Sequence, residues 1–557
     1  MASRKPEQSQ FKSIDSGDWL IMLFFVMAKL LVHFFTYSNF ELHRDAYLYY
    51  AQSEHLAWGY ISVPPSIAFI GKIATTIFGN TTFSLRFFPA VIGAINLIII
   101  GLSVKEIGGK KIALALASFA YLLSPAYLHT NALFQPVAFN HFYWLLSSYL
   151  ILLLIRRNNP RIWIWIAITF GFAFLNKYSI VFFFAAFAFS LLLSKYRYLY
   201  LSKYFLLALA IGFTIVLPNL IWQYQHNWPV MLHMAELRET QLVHVRLSDF
   251  ITAQLLMNSQ AFLIWFGALL ILLFYRKEKQ YNLFGFMYVL IIVLLILGSG
   301  KAYYALGVYP ILFVFGGYFT EKYSGRYKHY IAAGMVFFMF IDLYISLSFD
   351  GIPFTTFQKV EKEGAFRWED GVNHDIPQDM ADMTGWKEIG EKVRDIYVGL
   401  GPGNVNNCDI YCYHYGQAGA VMFYGEKVNI PQPISFNGSF VFWAPDSLTK
   451  DYMIWIHSDL GNDVKPDSLL PRLFQMVELK ATIKNKYFRE DGTKIYLCEY
   501  PTAEFKNYYK SRIDKLKNIY RQPRVEITET KVRFGISAQS DARGCLKTQK
   551  NDRLGNR

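Results

Sequence analysis

The chain has 557 residues, of which 54% are hydrophobic, 18% aromatic and only 17% charged, and it carries a formal net charge of +14. Soluble domains carry roughly 25% charged residues, so this composition excludes an ordinary soluble enzyme and points to a polytopic α-helical membrane protein. The positive charge does not argue for a nucleic-acid partner: many of the basic residues sit in short loops between apolar runs, where the positive-inside bias accounts for them.

A helix needs roughly 20 residues to cross ~30 Å of hydrocarbon. On that measure about eleven spans are predicted, near residues 19–37, 83–104, 112–128, 136–155, 162–176, 178–194, 205–222, 251–274, 283–298, 303–319 and 330–347. The first follows a basic leader (Arg4, Lys5, Lys12) and reads as an uncleaved anchor. Lys29 and His33 lie four residues apart on one face of it, and ionisable groups inside a span are functional candidates. Alternate loops are basic, as at Lys105/Lys110/Lys111, Arg156/Arg157/Arg161 and Arg276/Lys277/Lys279. That side is predicted to be cytoplasmic, and an odd number of spans then puts the C-terminal part outside.

The first outer loop, 38–82, is dense in aromatics and predicts two helices lying in the interface, Asp45 to Trp58 and Ser66 to Phe78. Beyond residue 347 the composition turns soluble. Residues 385–397 have helical spacing, and 408–415, 452–457 and 493–498 read as strands, which predicts a soluble α/β domain over 348–505 behind a membrane domain of 1–347. A basic tail, 506–557, is expected to be partly disordered. The four cysteines, Cys408, Cys412, Cys498 and Cys545, all follow the last span. Outside the cytoplasm they are able to pair, and Cys408 or Cys412 with Cys498 is the expected bridge, although spacing alone does not fix it.

Asp45 is the sharpest chemical candidate. A carboxylate within ~3 Å of an acceptor hydroxyl takes its proton as it attacks; equally, an Asp before Ala-Tyr-Leu-Tyr makes a good helix N-cap. Lys301, in Gly-Ser-Gly-Lys301-Ala-Tyr303-Tyr304, is placed to hold a lipid phosphate as a point charge with the two tyrosines beside it; interfacial snorkelling is the plainer alternative. Glu41, Arg44, Tyr49, Glu54, His226 and Glu236 are candidates to line a cavity at the outer interface. Neither a glycine-rich phosphate loop nor a metal-spaced His/Cys cluster is present in the outer domain's sequence, and no metal site is predicted.

Several motifs recur together: Asp45 with Tyr49-Tyr50, Gly59-Tyr60 and Pro64-Pro65; Leu123-Ser124-Pro125; Asn176-Lys177-Tyr178; Pro218-Asn219 with Trp222; and Lys301-Ala-Tyr303-Tyr304 with Pro310. In this order the chain resembles bacterial members of glycosyltransferase family 39, relatives of the protein O-mannosyltransferases and the lipid A aminoarabinose transferase, which share the GT-C membrane fold. The outer segment Tyr415-Gly-Gln-Ala-Gly-Ala with Phe423-Tyr-Gly425 looks like theirs as well. The resemblance implies an enzyme of the inner membrane that moves a sugar, with inversion, from a polyprenyl-phosphate donor to a lipid, glycan or protein acceptor on the periplasmic side. It implies Asp45 as the general base, Lys301, Tyr303 and Tyr304 as the donor-phosphate site, and Arg238 as a further phosphate ligand. Two positions depart from the pattern: Ala46 follows Asp45 where the family often has Glu, and Gln135 precedes Pro136 where an Asp is common. The missing acids weaken the case for a bound divalent metal; no cofactor is expected to be required, and metal dependence is left open by the sequence. A transporter or flippase of lipid-linked glycans is the rival reading, disfavoured by the lack of internal repeats; a membrane-anchored binding protein is the third.

Overall fold

The computed structural model describes residues 14–347, 353–458 and 466–521. The chain forms two compact units. One holds the residues up to Asn39, Phe83–Leu217 and Leu242–Glu363; the other holds Phe40–Thr82, Pro218–Gln241 and the chain from Gly364 on. This cuts the chain differently from a linear boundary at 347, because the first loop joins the C-terminal part.

Seven helices among the described residues are long and apolar enough to cross a membrane. Two further candidates are helix pairs with a sharp bend: Lys111–Leu122 with Pro125–Ala132 at 58°, and Leu247–Leu256 with Ser259–Phe274 at 60°. The helices Ile162–Asn176 and Ile180–Leu193 are apolar but shorter. These elements occupy the predicted spans, with two corrections. Segments 112–128 and 251–274 are broken, and 303–319 opens with a 3-10 turn, Ala302–Val308, before helix Tyr309–Tyr323. The first break has a plain cause: Pro125 donates no N–H and drives Ser124 to an extended φ/ψ of −73°/120°. The second break meets the first, since the Ser124 hydroxyl donates to Asn258 Oδ1 at 2.9 Å.

Several charged groups in this unit are paired. Asp18, in a capping box with Asp15, accepts Lys105 at 2.6 Å; Glu106 accepts Arg157 at 2.7 Å; buried Glu278 accepts Lys322 at 2.5 Å. Lys29 is fully buried, donates to the Tyr127 carbonyl at 2.9 Å and lies 5.3 Å from the Tyr121 ring. Its amine is thus partnered inside the fold. His33 lines a small crevice with Arg86 and Asn131.

The second unit begins with α1 (Arg44–Glu54) and α2 (Ser66–Phe78). The second matches its predicted bounds; the first stops four residues early. The Tyr60 hydroxyl donates to the Gln52 and His55 carbonyls and accepts from the Ala57 N–H, and this knot ends the helix. The C-terminal part contributes helices α3 (Trp386–Gly399), α4 (Tyr415–Gly425) and α5 (Ala503–Arg521). Its strands β1 (Cys408–Cys412), β2 (Tyr452–His457), β3 (Phe474–Thr482) and β4 (Lys494–Pro501) form one sheet in the order β1-β2-β4-β3. The β1/β2 pair is parallel and the others antiparallel.

Residues 506–521, expected in the basic tail, belong to α5. Phe505, Tyr509 and Ile513 recur every four residues and bury themselves against the sheet core with Met453, Trp455 and Tyr496. Residues 522–557, with Cys545, lie outside the described residues. The expected disulfide is absent: Cys408, Cys412 and Cys498 are free and buried. The sheet order explains why. β2 lies between β1 and β4, so the thiols' strands are two spacings, roughly 9.6 Å, apart, beyond the ~7 Å Cα separation that a disulfide tolerates.

Candidate active site

Asp45 stands in the first turn of α1, in the second unit. The N-cap of this helix is His43, whose Nδ1 accepts from the Asp45 N–H at 3.1 Å. Asp45 is therefore not the N-cap residue. Instead Oδ1 accepts from the Tyr415 hydroxyl at 2.6 Å, across 370 positions of sequence. Its side chain keeps 29% exposure in a cluster where His43 has 4% and Asp382 1%.

The surrounding backbone fixes this geometry. Glu41 N–H donates to the Met383 carbonyl at 3.1 Å, Arg44 N–H to the Asp382 carbonyl at 2.9 Å, and Lys387 N–H to Glu41 Oε2 at 2.9 Å. The strip 41–44 is thus laced to 382–387. Helix α1 then packs on α4 at Gly419, where a Cβ would fall onto the Tyr47 carbonyl. That close approach brings Tyr415, in the first turn of α4, up to Asp45.

Charge is nearly balanced around the carboxylate. Arg44 Nε lies 3.8 Å from both Asp45 Oδ1 and Asp382 Oδ1, and its guanidinium sits 5.5 Å from the Tyr415 ring. Arg489 donates to Asp382 Oδ2 at 3.2 Å. Gln417 donates to Glu490 Oε2 at 2.6 Å, and burial raises that carboxyl's pKa despite Gln417, Arg44 and Arg489. Burial raises the Tyr415 phenol well above its usual value, and the Asp45 charge adds to this against the opposing pull of Arg44. The phenol stays a donor to Asp45 at neutral pH. Burial pushes His43 down, but its bond to Asp379 and the charges of Asp45, Asp382 and Asp379 outweigh that and raise its pKa.

His43, Asp379 and Asp382 each offer one ligand atom, all within 4.8 Å of one another. The spacing suits a small cation. Arg44 and Arg489 also supply positive charge at Asp382.

The other predicted residues fall in different places. Arg44 belongs to the Asp45 cluster, while Glu41 is pinned by Lys387 and Tyr49 is buried in α1. Glu54 closes the far end of α1 and pairs with Lys72 at 3.0 Å. His226 stacks on Trp222 at 4.1 Å, Glu236 sits 3.7 Å from His233, and Arg238 is exposed on helix Pro229–Thr240. Lys301, Tyr303 and Tyr304 belong to the first unit. Lys301 caps the 3-10 turn Ala302–Val308, which Gln254 holds through the Ala302 carbonyl at 3.0 Å. Lys177 approaches both rings, 5.7 Å from Tyr303 and 5.2 Å from Tyr304, so two lysines flank the tyrosine pair.

Residues 62–222 match a sequence family described as dolichyl-phosphate-mannose-protein mannosyltransferase. The crystal structure of ArnT from Cupriavidus metallidurans bound to undecaprenyl phosphate superposes with a TM-score of 0.58 at 13% identity, over 87% of this chain and 98% of that one. The apo structure of the same ArnT gives 0.56 at 12% identity, over 86% and 98%. This chain has the GT-C glycosyltransferase fold. No curated protein sequence matches the chain significantly.

Against this GT-C frame, the residues that sequence reasoning missed are Asp379, Asp382, Arg489 and Glu490, none of which stands in a motif. Tyr415 opens the segment that resembled the bacterial family, and that resemblance was the available signal for it.

Proposed function

We propose that the protein is a membrane glycosyltransferase that moves a sugar from a polyprenyl-phosphate donor to an acceptor hydroxyl, with inversion and with Asp45 as general base. The acceptor oxygen attacks the anomeric carbon, the bond from that carbon to the lipid phosphate breaks, and Asp45 takes the acceptor proton. The phosphate leaves with the bonding pair, and Lys301, with Tyr303 and Tyr304, stabilises the charge that develops on it. Arg238 is a further phosphate ligand of this reading. The sugar's bond to the phosphate carries the energy, so the step uses no nucleotide and, as drawn, no metal.

The observation that carries the reading is the Asp45 carboxylate itself. It is partly exposed, stands in the first turn of α1 rather than at its N-cap, and accepts a hydrogen bond from the buried Tyr415 phenol. The polyprenyl-phosphate donor is supported by the undecaprenyl phosphate bound to the ArnT of similar fold. The basic loops support an exocytoplasmic location for the C-terminal domain, at the inner membrane.

Reconstituted vesicles test the function. Supplied with a polyprenyl-phosphate sugar and envelope acceptors, the protein should form a new glycosidic bond, read by mass spectrometry. Exchange of the donor between leaflets without bond formation would support the flippase reading instead.

A further inference from the structure

The second unit also contains a cavity of about 290 Å³ that shares no residue with the Asp45 cluster. Trp222, Phe442, Trp443 and Tyr520 line it with aromatic rings, together with Arg521 and with His226, which stacks on Trp222. The cavity is braced from several sides. Trp443 stacks on His55 at 4.2 Å, Phe442 meets Tyr520 edge-on at 5.2 Å, and Gly59 leaves no room for a Cβ beside the Trp222 ring. The corner after His226 is held in the left-handed region at Asn227 (φ 61°) and Trp228 (φ 52°), and Asn227 Nδ2 ties it to the Ile519 carbonyl at 2.8 Å. A bulky residue rarely adopts that conformation unless its surroundings impose it.

The lining fits a sugar. Aromatic faces accept the apolar C–H side of a ring, and a guanidinium such as that of Arg521 supplies donors for its hydroxyls. Lys517 also borders the cavity, but its ammonium is taken up by the Ala444 carbonyl at 2.5 Å and Asp446 Oδ1 at 2.7 Å. Of the two cations that border the cavity, Lys517 is thus neutralised by Asp446. Its volume lies at the small end of ligand pockets, which run from ~300 Å³ upward, so it holds a short part of a ligand. Position adds a constraint. Asp45 opens α1, and the cavity begins at Ala57, past the other end; nine residues of helix alone separate Asp45 from Glu54 by roughly 14 Å.

We infer that this cavity is a glycan subsite, holding a distal sugar of an oligosaccharide acceptor whose reactive hydroxyl lies at Asp45. The inference rests on the glycosyltransferase reading above and narrows its acceptor to an extended glycan. The test uses the full-length protein in vesicles with oligosaccharides of graded length cut from the acceptor that mass spectrometry identifies. KM should fall as the acceptor lengthens. Trp443→Ala should collapse the ratio of KM between the shortest and longest acceptors by about tenfold, the scale of a lost aromatic contact, and Arg521→Gln, on an exposed side chain, should do so partially. Equal KM changes for short and long acceptors, no dependence on length, or an acceptor without saccharide would each overturn the proposal. Saturation-transfer NMR of the longest oligosaccharide, without donor, keeps the two readings apart. Binding retained in an inactive Asp45→Asn protein and lost in Trp443→Ala supports the subsite, whereas full transfer by Asp45→Asn removes the base and leaves the binding result to stand alone.

Discussion

The two groups of candidate chemistry are assembled in opposite ways. Lys301, Tyr303 and Tyr304 sit within four residues, at the start of one 3-10 turn, and Lys177 approaches both rings from a distant segment. Asp45 depends on Tyr415, 370 positions away, and on Asp382 and Arg489, which arrive from two further segments. The difference follows the chemistry. A phosphate is met by point charges that a short motif can carry, whereas a base must have its proton affinity and direction set by surroundings that only a folded unit supplies.

Breaking the distributed cluster at its centre should give the largest effect. Asp45→Asn keeps the shape and removes the base, with an expected loss of ~10²- to 10⁴-fold in transfer. Vesicle transfer assays check this alongside a thermal melt of the purified protein; near-normal transfer from a folded variant would rule out the assignment. Tyr415→Phe comes next. A hydrogen bond to a charged group contributes about 1.5–3 kcal/mol, which corresponds to roughly 10- to 150-fold if it acts wholly in the transition state. A kcat/KM equal to that of the unmodified protein would mean that Tyr415 only packs.

The local cluster should answer differently. Lys301→Met should raise the donor KM or lower kcat by about tenfold, the order of one charge–phosphate contact, and Lys301→Arg should restore part of the loss. Arg238→Gln, on an exposed position, should cost less. A larger effect at Arg238 than at Lys301 would reverse the ranking of the two proposed phosphate ligands.

How much of this was legible in the sequence follows the same division. Apolar length gave the spans, because lipid imposes one rule on every residue that crosses it. The bends at Pro125 and Asn258 are local departures that a window average smooths over. Strand β2 was read at its observed bounds, Tyr452–His457, from its apolar run, while β3 was missed because its residues are mostly exposed and lack a buried stripe. Helix α5 was hidden in a basic stretch whose buried positions, Phe505, Tyr509 and Ile513, are sparse. At the site, Asp45 and Lys301 stand in motifs, but no local pattern marks Asp382 or Arg489, whose meaning exists only once 41–44 is laced to 382–387.

That lacing offers a purely structural break. Gly419→Ala would set a methyl against the Tyr47 carbonyl, and overpacking of this kind costs about 1–3 kcal/mol. Transfer should fall with it if α1 and α4 move apart, since Asp45 and Tyr415 ride on those two helices. A thermal midpoint equal to that of the unmodified protein would show that the helices yield freely at this contact.

The smallest expected effect is a pH dependence centred on His43. Two features of this residue oppose each other. As the N-cap of α1, its Nδ1 must be unprotonated to accept from the Asp45 N–H. As a buried neighbour of Asp379, Asp45 and Asp382, it is stabilised in the charged form, and its pKa is raised despite burial. Protonation therefore exchanges one cap bond for attraction to three carboxylates, and the raised pKa says that the attraction wins. The sign follows: the stabilisation is fully present below the unfolded value, about pH 6.5, and is lost as pH rises through the folded pKa above it. Hydrogen exchange of the α1 amides should accordingly show protection falling above about pH 6.5 once intrinsic rates are corrected, and His43→Gln, which cannot charge, should flatten that slope. Protection that rises over the same interval would mean the cap bond outweighs the ion pairs, and would assign His43 to the helix rather than to the charge balance around Asp45.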